Sequence, residues 1–194
     1  MIRIIAALAL LAFAMPAPGH AQAPKAPTAA AAIADPQNTI LIDTRHGRIT
    51  IRLRTDLAPQ HAERIKLLTR EGFYDNVPFH RVMGGFMAQT GDGQLKNGFG
   101  RSKHPNLPSE FTSTGFKRGI VGMARGPETN SANSQFFIVL GEASFLNNNY
   151  TVIGEVTSGM DVVDKIKKAP ASDRSGAVVD PDFMTKVTVA ADAR

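Results

Sequence analysis

Near the start of the chain, two apolar-rich runs, "NTILID" and "GRITIRL", flank the polar stretch "TRHG". In the second run Ile49, Ile51 and Leu53 fall on one face while Thr50, Arg52 and Arg54 fall on the other, the period-two alternation of a half-buried strand. The pair predicts an antiparallel hairpin. From Asp56 the period lengthens: Ala58, Ala62, Ile65 and Leu68 recur at helical spacing, Pro59 suits a first turn and Gly72 supplies a stop. Strand candidates return at 119–123, 135–140 and 150–156, separated by segments rich in Gly, Asn, Ser and Pro. Met160, Val163 and Ile166 mark a second short helix with lysines toward its negative end, and "TKVTVA" reads as a last strand. Strands dominate, no alternation of strand and helix appears, and there is no internal repeat. The pattern predicts a mainly β protein, a closed antiparallel barrel interrupted by two helices.

One stretch resists that scheme. "FHRVMGGFMAQTGDG", residues 79–93, surrounds a single arginine with apolar side chains and carries Gly84, Gly85, Gly91 and Gly93, too many for one regular element.

The ends of the chain change the picture of where it works. Residues 1–23 place Arg3 before an apolar run from Ile4 to Met15, followed by Pro, Gly and small residues. This predicts a secretory signal peptide cleaved after Ala21 or Ala23. The run is about a dozen residues, short of the ~20 that span a bilayer, so no membrane association is expected after cleavage. Residues 24–36, rich in Ala and Pro, read as a linker, and the domain is expected over 37–194. With no cysteine among 194 residues, neither a disulfide nor a lipoprotein anchor is available, and stability must come from the core. Net charge is +5, but Lys and Arg are scattered and not interleaved with stacking aromatics, so no nucleic-acid partner is expected.

Familiar reaction chemistries do not fit. His80, His104 and many serines are present, yet no G-x-S-x-G elbow is. His20, His46, His61, His80 and His104 never pair at i, i+4, which together with the missing cysteines argues against zinc. "GDGQLKNG" lacks the acidic ligands of a calcium loop after Asp92, and no phosphate-cradling G-x-x-x-x-G-K-[ST] occurs. What remains is Arg81 with Phe86, Met87 and Gln89, then "GMARGPETNSANSQFFIVL", then "EASFLNNNYTVIGEV".

Those blocks, above all "FHR", "GFM", "GDG", "MAR" and "SQFFI" at their spacing, resemble the cyclophilin-type peptidyl-prolyl isomerases from about Asn38 to the C-terminus. The resemblance implies an eight-stranded antiparallel barrel capped by two helices, and "GFYDNVPFHRV" is similar to the short-loop bacterial form. It implies that Arg81 is catalytic, that Phe86, Met87, Phe137 and Leu146 line a proline pocket, and that Gln89 and Gln135 orient the substrate backbone. Ala124 and Arg125 would flank the residue before proline, with Phe145 and Tyr150 on the groove wall. Arg125 stands where many relatives carry Asn, Phe145 where many carry Trp, and Tyr150 where many carry His. The implied protein is a monomeric periplasmic isomerase of X-Pro bonds in exported polypeptides, without metal or cofactor, binding cyclosporin with weakened affinity. A reading from another class is a peptide-binding chaperone or assembly module that keeps the groove without depending on turnover.

Export predicts a mature chain that begins at Gln22 or Pro24, checked by intact mass of the periplasmic fraction. Retention of residues 1–21 in membranes would overturn it.

Overall fold

The computed structural model describes residues 33–193; the expected signal peptide and residues 24–32 of the expected linker lie outside the described residues. Ordered elements begin at a single 3-10 turn, Pro36–Asn38, capped by Asp35. Strands β1 (Thr39–Thr44) and β2 (Gly47–Leu53) form the expected hairpin, paired from Thr39 opposite Arg52 to Thr44 opposite Gly47. Ile49, Ile51 and Leu53 are buried while Arg48 and Arg52 are exposed, as the alternation requires.

Helix α1 (Pro59–Arg70) packs Ala62, Ile65 and Leu68 into the core. Its N-terminus has no side-chain cap of its own, since residue 58 is alanine. The carboxylate of Glu110 does that work from a distant loop, accepting from the backbone N–H of Gln60 at 3.2 Å and of His61 at 3.1 Å. An anion there also meets the positive end of the helix dipole.

The remaining strands are β3 (Val77–Pro78), β4 (Arg81–Met83), β5 (Met87–Thr90), β6 (Ile120–Met123), β7 (Phe136–Val139), β8 (Val152–Ser158), β9 (Phe183–Met184) and β10 (Lys186–Val189). Helix α2 (Met160–Lys165) follows β8. The glycine-rich stretch at 79–93 is itself a hairpin: β4 and β5 pair across a turn at Gly84 and Gly85 that the Phe86 N–H closes on the Met83 carbonyl at 3.1 Å. Glycine here divides the stretch into two short strands.

Eight strands form one sheet in the order β10-β1-β2-β8-β6-β7-β5-β4, with β3 and β9 as a separate pair. The expected closed barrel is not formed; the sheet is a curled half-barrel whose end strands, β4 and β10, do not pair. Both edges are satisfied in other ways. Along β4 run residues 175–178: Val82 N–H donates to Gly176 O at 2.9 Å, Val178 N–H to His80 O at 3.1 Å, and Arg81 bridges Ala177. At β10 the Asp75 carboxylate accepts from Val187 N–H at 3.0 Å and pairs with Lys186 at 2.7 Å. With the edge N–H groups occupied, little drives closure.

Two apolar clusters lie on opposite faces of this sheet. Val82, Ala88, Phe136 and Ile138 point into the main core with Ile42, Ile49 and Leu68. Their neighbours Met87, Phe137 and Val139 point the other way, into a second cluster with Phe116, Leu146 and Val152. The two-residue period of β5 and β7 thus separates a structural face from a face left for other use.

After β5 the chain folds around Asp92, a fully buried carboxylate. It accepts five backbone N–H groups, from Gln94 (3.2 Å), Leu95 (2.9 Å), Asn97 (3.1 Å), Gly98 (2.9 Å) and Gly100 (3.0 Å). Burial alone would raise its pKa, but the bonds from Leu95, Gly100, Gly98 and Asn97 outweigh burial and hold it below the ordinary carboxylate value. A folded pKa below the unfolded one gives stability that is present above the unfolded value and lost as pH falls through the folded one. Asp92→Ala should therefore lower unfolding free energy by about 2–4 kcal/mol at about pH 7, with the difference from the parent shrinking toward about pH 2. Urea denaturation at both pH values checks this; a difference independent of pH would show that the carboxylate charge does not organise the loop.

Candidate active site

Arg81 and Met83 on β4, Met87 and Gln89 on β5, and Phe137 on β7 share the second face because each is an even number of residues from its strand neighbour there. The register sets Arg81 opposite Gln89, Met83 opposite Met87 and Gln89 opposite Phe137. Next across the sheet, opposite Phe137, is Gly122. A Cβ at Gly122 would lie 2.6 Å from a Phe116 ring atom and closer still to Phe137, so only glycine lets both rings lie over β6. Phe116 stacks on Phe137 at 5.8 Å between centroids, and Tyr150 meets Phe137 edge-on at 5.7 Å. Phe137 is thereby fixed from two sides.

The guanidinium of Arg81 is half-buried, and every hydrogen-bond partner it has among the described residues is neutral. Nε donates to the Ser175 carbonyl at 2.8 Å, Nη2 to Met83 Sδ at 3.2 Å, and Nη1 to Gln89 Oε1 at 3.4 Å and Met87 Sδ at 3.8 Å. Burial pulls its pKa below the ordinary arginine value, opposed in part by Tyr150. Arginine nonetheless stays a cation across the physiological range.

An amide relay orients that cation. Gln135 Nε2 donates to the carbonyls of Gly98 and Gly100, both at 2.9 Å, and carbonyls can only accept. Gln135 must therefore turn its oxygen toward Gln89, which donates through Nε2 at 3.0 Å. Gln89 is left with its own oxygen facing Arg81. The Asp92 loop, which supplies the two carbonyls, thus fixes the polarity of two amides and the environment of one guanidinium. Gly91 makes the approach possible: with φ +94° it passes so near Ser134 and Gln135 that a Cβ would lie 2.6 Å from the Ser134 carbonyl oxygen.

A cavity of about 160 Å³ opens on this face, lined by Arg81, Phe86, Met87, Gln89, Ala124, Arg125, Phe137, Leu146 and Tyr150. Of the eleven residues singled out in the sequence, two lie outside that lining. Gln135 lines a neighbouring cavity. Phe145 sits on the rim, 66% exposed, its ring 5.3 Å from that of Phe86. Arg125 Cζ lies 4.9 Å over the Tyr150 ring, and Nε donates to the Asn149 carbonyl at 3.0 Å. Ser175, Met83, Phe116 and the carbonyls of Gly98 and Gly100 went unmarked in the sequence reading. Met83 carried a signal, two residues from Arg81 on the same strand face; Ser175, ninety-four residues from Arg81, carried none.

These features define a small cavity in which aromatic and thioether side chains meet a fixed cation, Arg81, that no anion pairs among the described residues. The sequence model of the family described as cyclophilin type peptidyl-prolyl cis-trans isomerase/CLD matches residues 39–189, and the chain belongs to that family. A probable peptidyl-prolyl cis-trans isomerase of Brucella suis biovar 1 (strain 1330) is 51% identical over 174 residues, covering 84% of this chain and 88% of that protein. Peptidyl-prolyl cis-trans isomerase B of Escherichia coli (strain K12) is 40% identical over 145 residues, 71% of this chain and 88% of the relative. The crystal structure of cyclophilin AquaCyp293 from Hirschia baltica superposes with a TM-score of 0.72 at 25% identity, covering 82% of this chain and 76% of that one. The activity is peptidyl-prolyl cis-trans isomerisation.

Proposed function

We propose that the Arg81 cavity seats the proline ring of an X-Pro segment and that Arg81 accelerates rotation about the preceding peptide bond. Planar amide resonance sets a barrier of ~18–20 kcal/mol. As the bond twists, the proline nitrogen regains its lone pair and becomes a better acceptor. A guanidinium held beside it then stabilises the twisted state more than either planar state, which is the difference that lowers a barrier. The observation that carries this reading is the half-buried Arg81 guanidinium, fixed by neutral partners and paired with no carboxylate among the described residues. A turnover of ~10³ s⁻¹ corresponds to a barrier near ~13 kcal/mol, so the site has to contribute roughly 5–7 kcal/mol. One charge-assisted hydrogen bond contributes ~1.5–3 kcal/mol, and the rest falls to anchoring of the ring between Phe86, Met87, Phe137 and Leu146. The peptide backbone would bond to the amides of Gln89 and Gln135, with the residue before proline passing Ala124 and Arg125. No proton or electron moves, so the mechanism calls for neither metal nor cofactor.

The leader-like residues 1–23 support a periplasmic enzyme working on exported polypeptides during their folding. A folding role without turnover is less well supported, because a peptide-binding module has no use for an unneutralised cation at the twisting bond.

Arg81→Ala should lower kcat/KM for an X-Pro peptide at least about tenfold at unchanged fold, measured by NMR exchange. Parental turnover in the folded variant would refute the role given to Arg81.

The rim position of Phe145 bears on cyclosporin. Phenylalanine offers ring cover but no donor, whereas an indole there would add one hydrogen bond and more apolar cover, together worth ~1–2.5 kcal/mol. Phe145→Trp is expected to tighten cyclosporin binding by roughly 5- to 70-fold in titration calorimetry and to leave short-peptide turnover little changed. Equal affinities would place Phe145 outside the ligand's reach.

A further inference from the structure

A second cavity, of about 390 Å³, adjoins the first and shares Gln89, Ala124 and Arg125 with it. Among its thirteen lining residues are two arginines, Arg101 and Arg125, and no aspartate or glutamate. Arg125 is held in place: Nε donates to Asn149 O at 3.0 Å, and Nη1 to Gly126 O at 3.0 Å and Pro127 O at 3.1 Å. Its two Nη2 hydrogens have no protein acceptor among the described residues. Arg101 uses only its backbone N–H, donating to Gln94 Oε1 at 3.2 Å; its guanidinium is exposed and forms no ion pair among the described residues.

Nearby acids do not neutralise the pair. Asp92 is buried and saturated by backbone N–H groups; Glu71 shares a separate cavity with Arg101 but hydrogen-bonds His104 at 3.0 Å and forms no ion pair with Arg101 among the described residues. Glu128 lies on the loop that follows Arg125 without lining the cavity. One held cation, Arg125, and one unpaired exposed cation, Arg101, lining a roomy cavity with no acidic side chain form a receptor for an anion, and Arg125, already ordered, loses little further freedom on binding one.

We propose that this cavity receives a substrate carboxylate, so that the enzyme favours X-Pro bonds with Asp or Glu two residues before the proline. The proposal rests on the reading of the Arg81 cavity as the proline seat, with the residue before proline at Ala124 and Arg125. The next side chain upstream then reaches the adjoining cavity. Partly exposed ion pairs are worth little each, so the selectivity is a modest one, carried by KM and weakened by salt.

The test is the ratio of kcat/KM values by NMR exchange for peptides that differ only in Glu, Gln or Lys two residues before the proline. For the parent protein at low salt we expect Glu over Gln by about three- to tenfold, with Lys poorest. In Arg101→Glu the order should shift toward Lys. Because each ratio is taken within one protein, any general loss of activity or folded fraction cancels. Equal values for Glu and Gln in the parent, a ratio unchanged in Arg101→Glu, or a preference for Glu only when it follows the proline would each overturn the proposal. Arg81→Ala, assayed on the Gln peptide, separates the two readings. Loss of turnover there with no preference for Glu discards acid selectivity alone, whereas unchanged turnover removes the proline seat on which it rests.

Discussion

A cation kept partly out of water without an anion is the constraint on which this structure turns. Desolvating a guanidinium is costly, and the usual remedy, a carboxylate, would spend the very charge the site needs. The protein instead surrounds Arg81 with weak, neutral acceptors: a backbone carbonyl, two thioethers and an amide oxygen. Each holds the side chain in place, and none cancels its field. The surrounding architecture follows from supplying those acceptors from the right directions. β4 and β5 bring the thioethers, the Asp92 loop sets the amides, and residues 175–178 bring the carbonyl.

The sheet makes this arrangement affordable by dividing labour between its faces. Odd and even residues of β5 and β7 go to different clusters, so Phe136 and Ile138 stabilise the core while Phe137 and Val139 build the groove. A one-residue slip of β5 against β7 would exchange the two sets. Gly122 protects the arrangement from the other side, since any side chain there would lift Phe137 from the strand it lies on.

Much of this was legible in the sequence. Strand β2 and helix α1 showed themselves by period, because each has one dry face and one wet one, whereas β6 and β7, buried on both faces, showed as short apolar runs between turn-rich segments. The site residues were legible through family resemblance, since no spacing rule brings Arg81 to Tyr150. Closure was misjudged for a physical reason: alternation reports which side of a strand is buried, and says nothing of what occupies its edge. Residues 175–178, Ser-Gly-Ala-Val, are too short a run, interrupted by Gly176, to give a strand period, yet they complete β4. Glycine density at 79–93 likewise reads as irregular because a hairpin with three- and four-residue strands is too short to establish a period. The Glu110 cap on α1 was hidden too, since it comes from fifty residues away.

The pairing of β4 with residues 175–178 also orders events in time. The strand that carries Arg81 is made early, whereas the carbonyl that holds the Arg81 Nε comes from Ser175, ninety-four residues later. A ribosome or export channel that has released the chain only as far as β5 has delivered Arg81, Phe86, Met87 and Gln89 without the rest of the groove and without the clasp on its cation. Competence therefore waits until Ser175 has emerged, and a nascent copy of this folding catalyst has to acquire its own shape before it can act on any other chain.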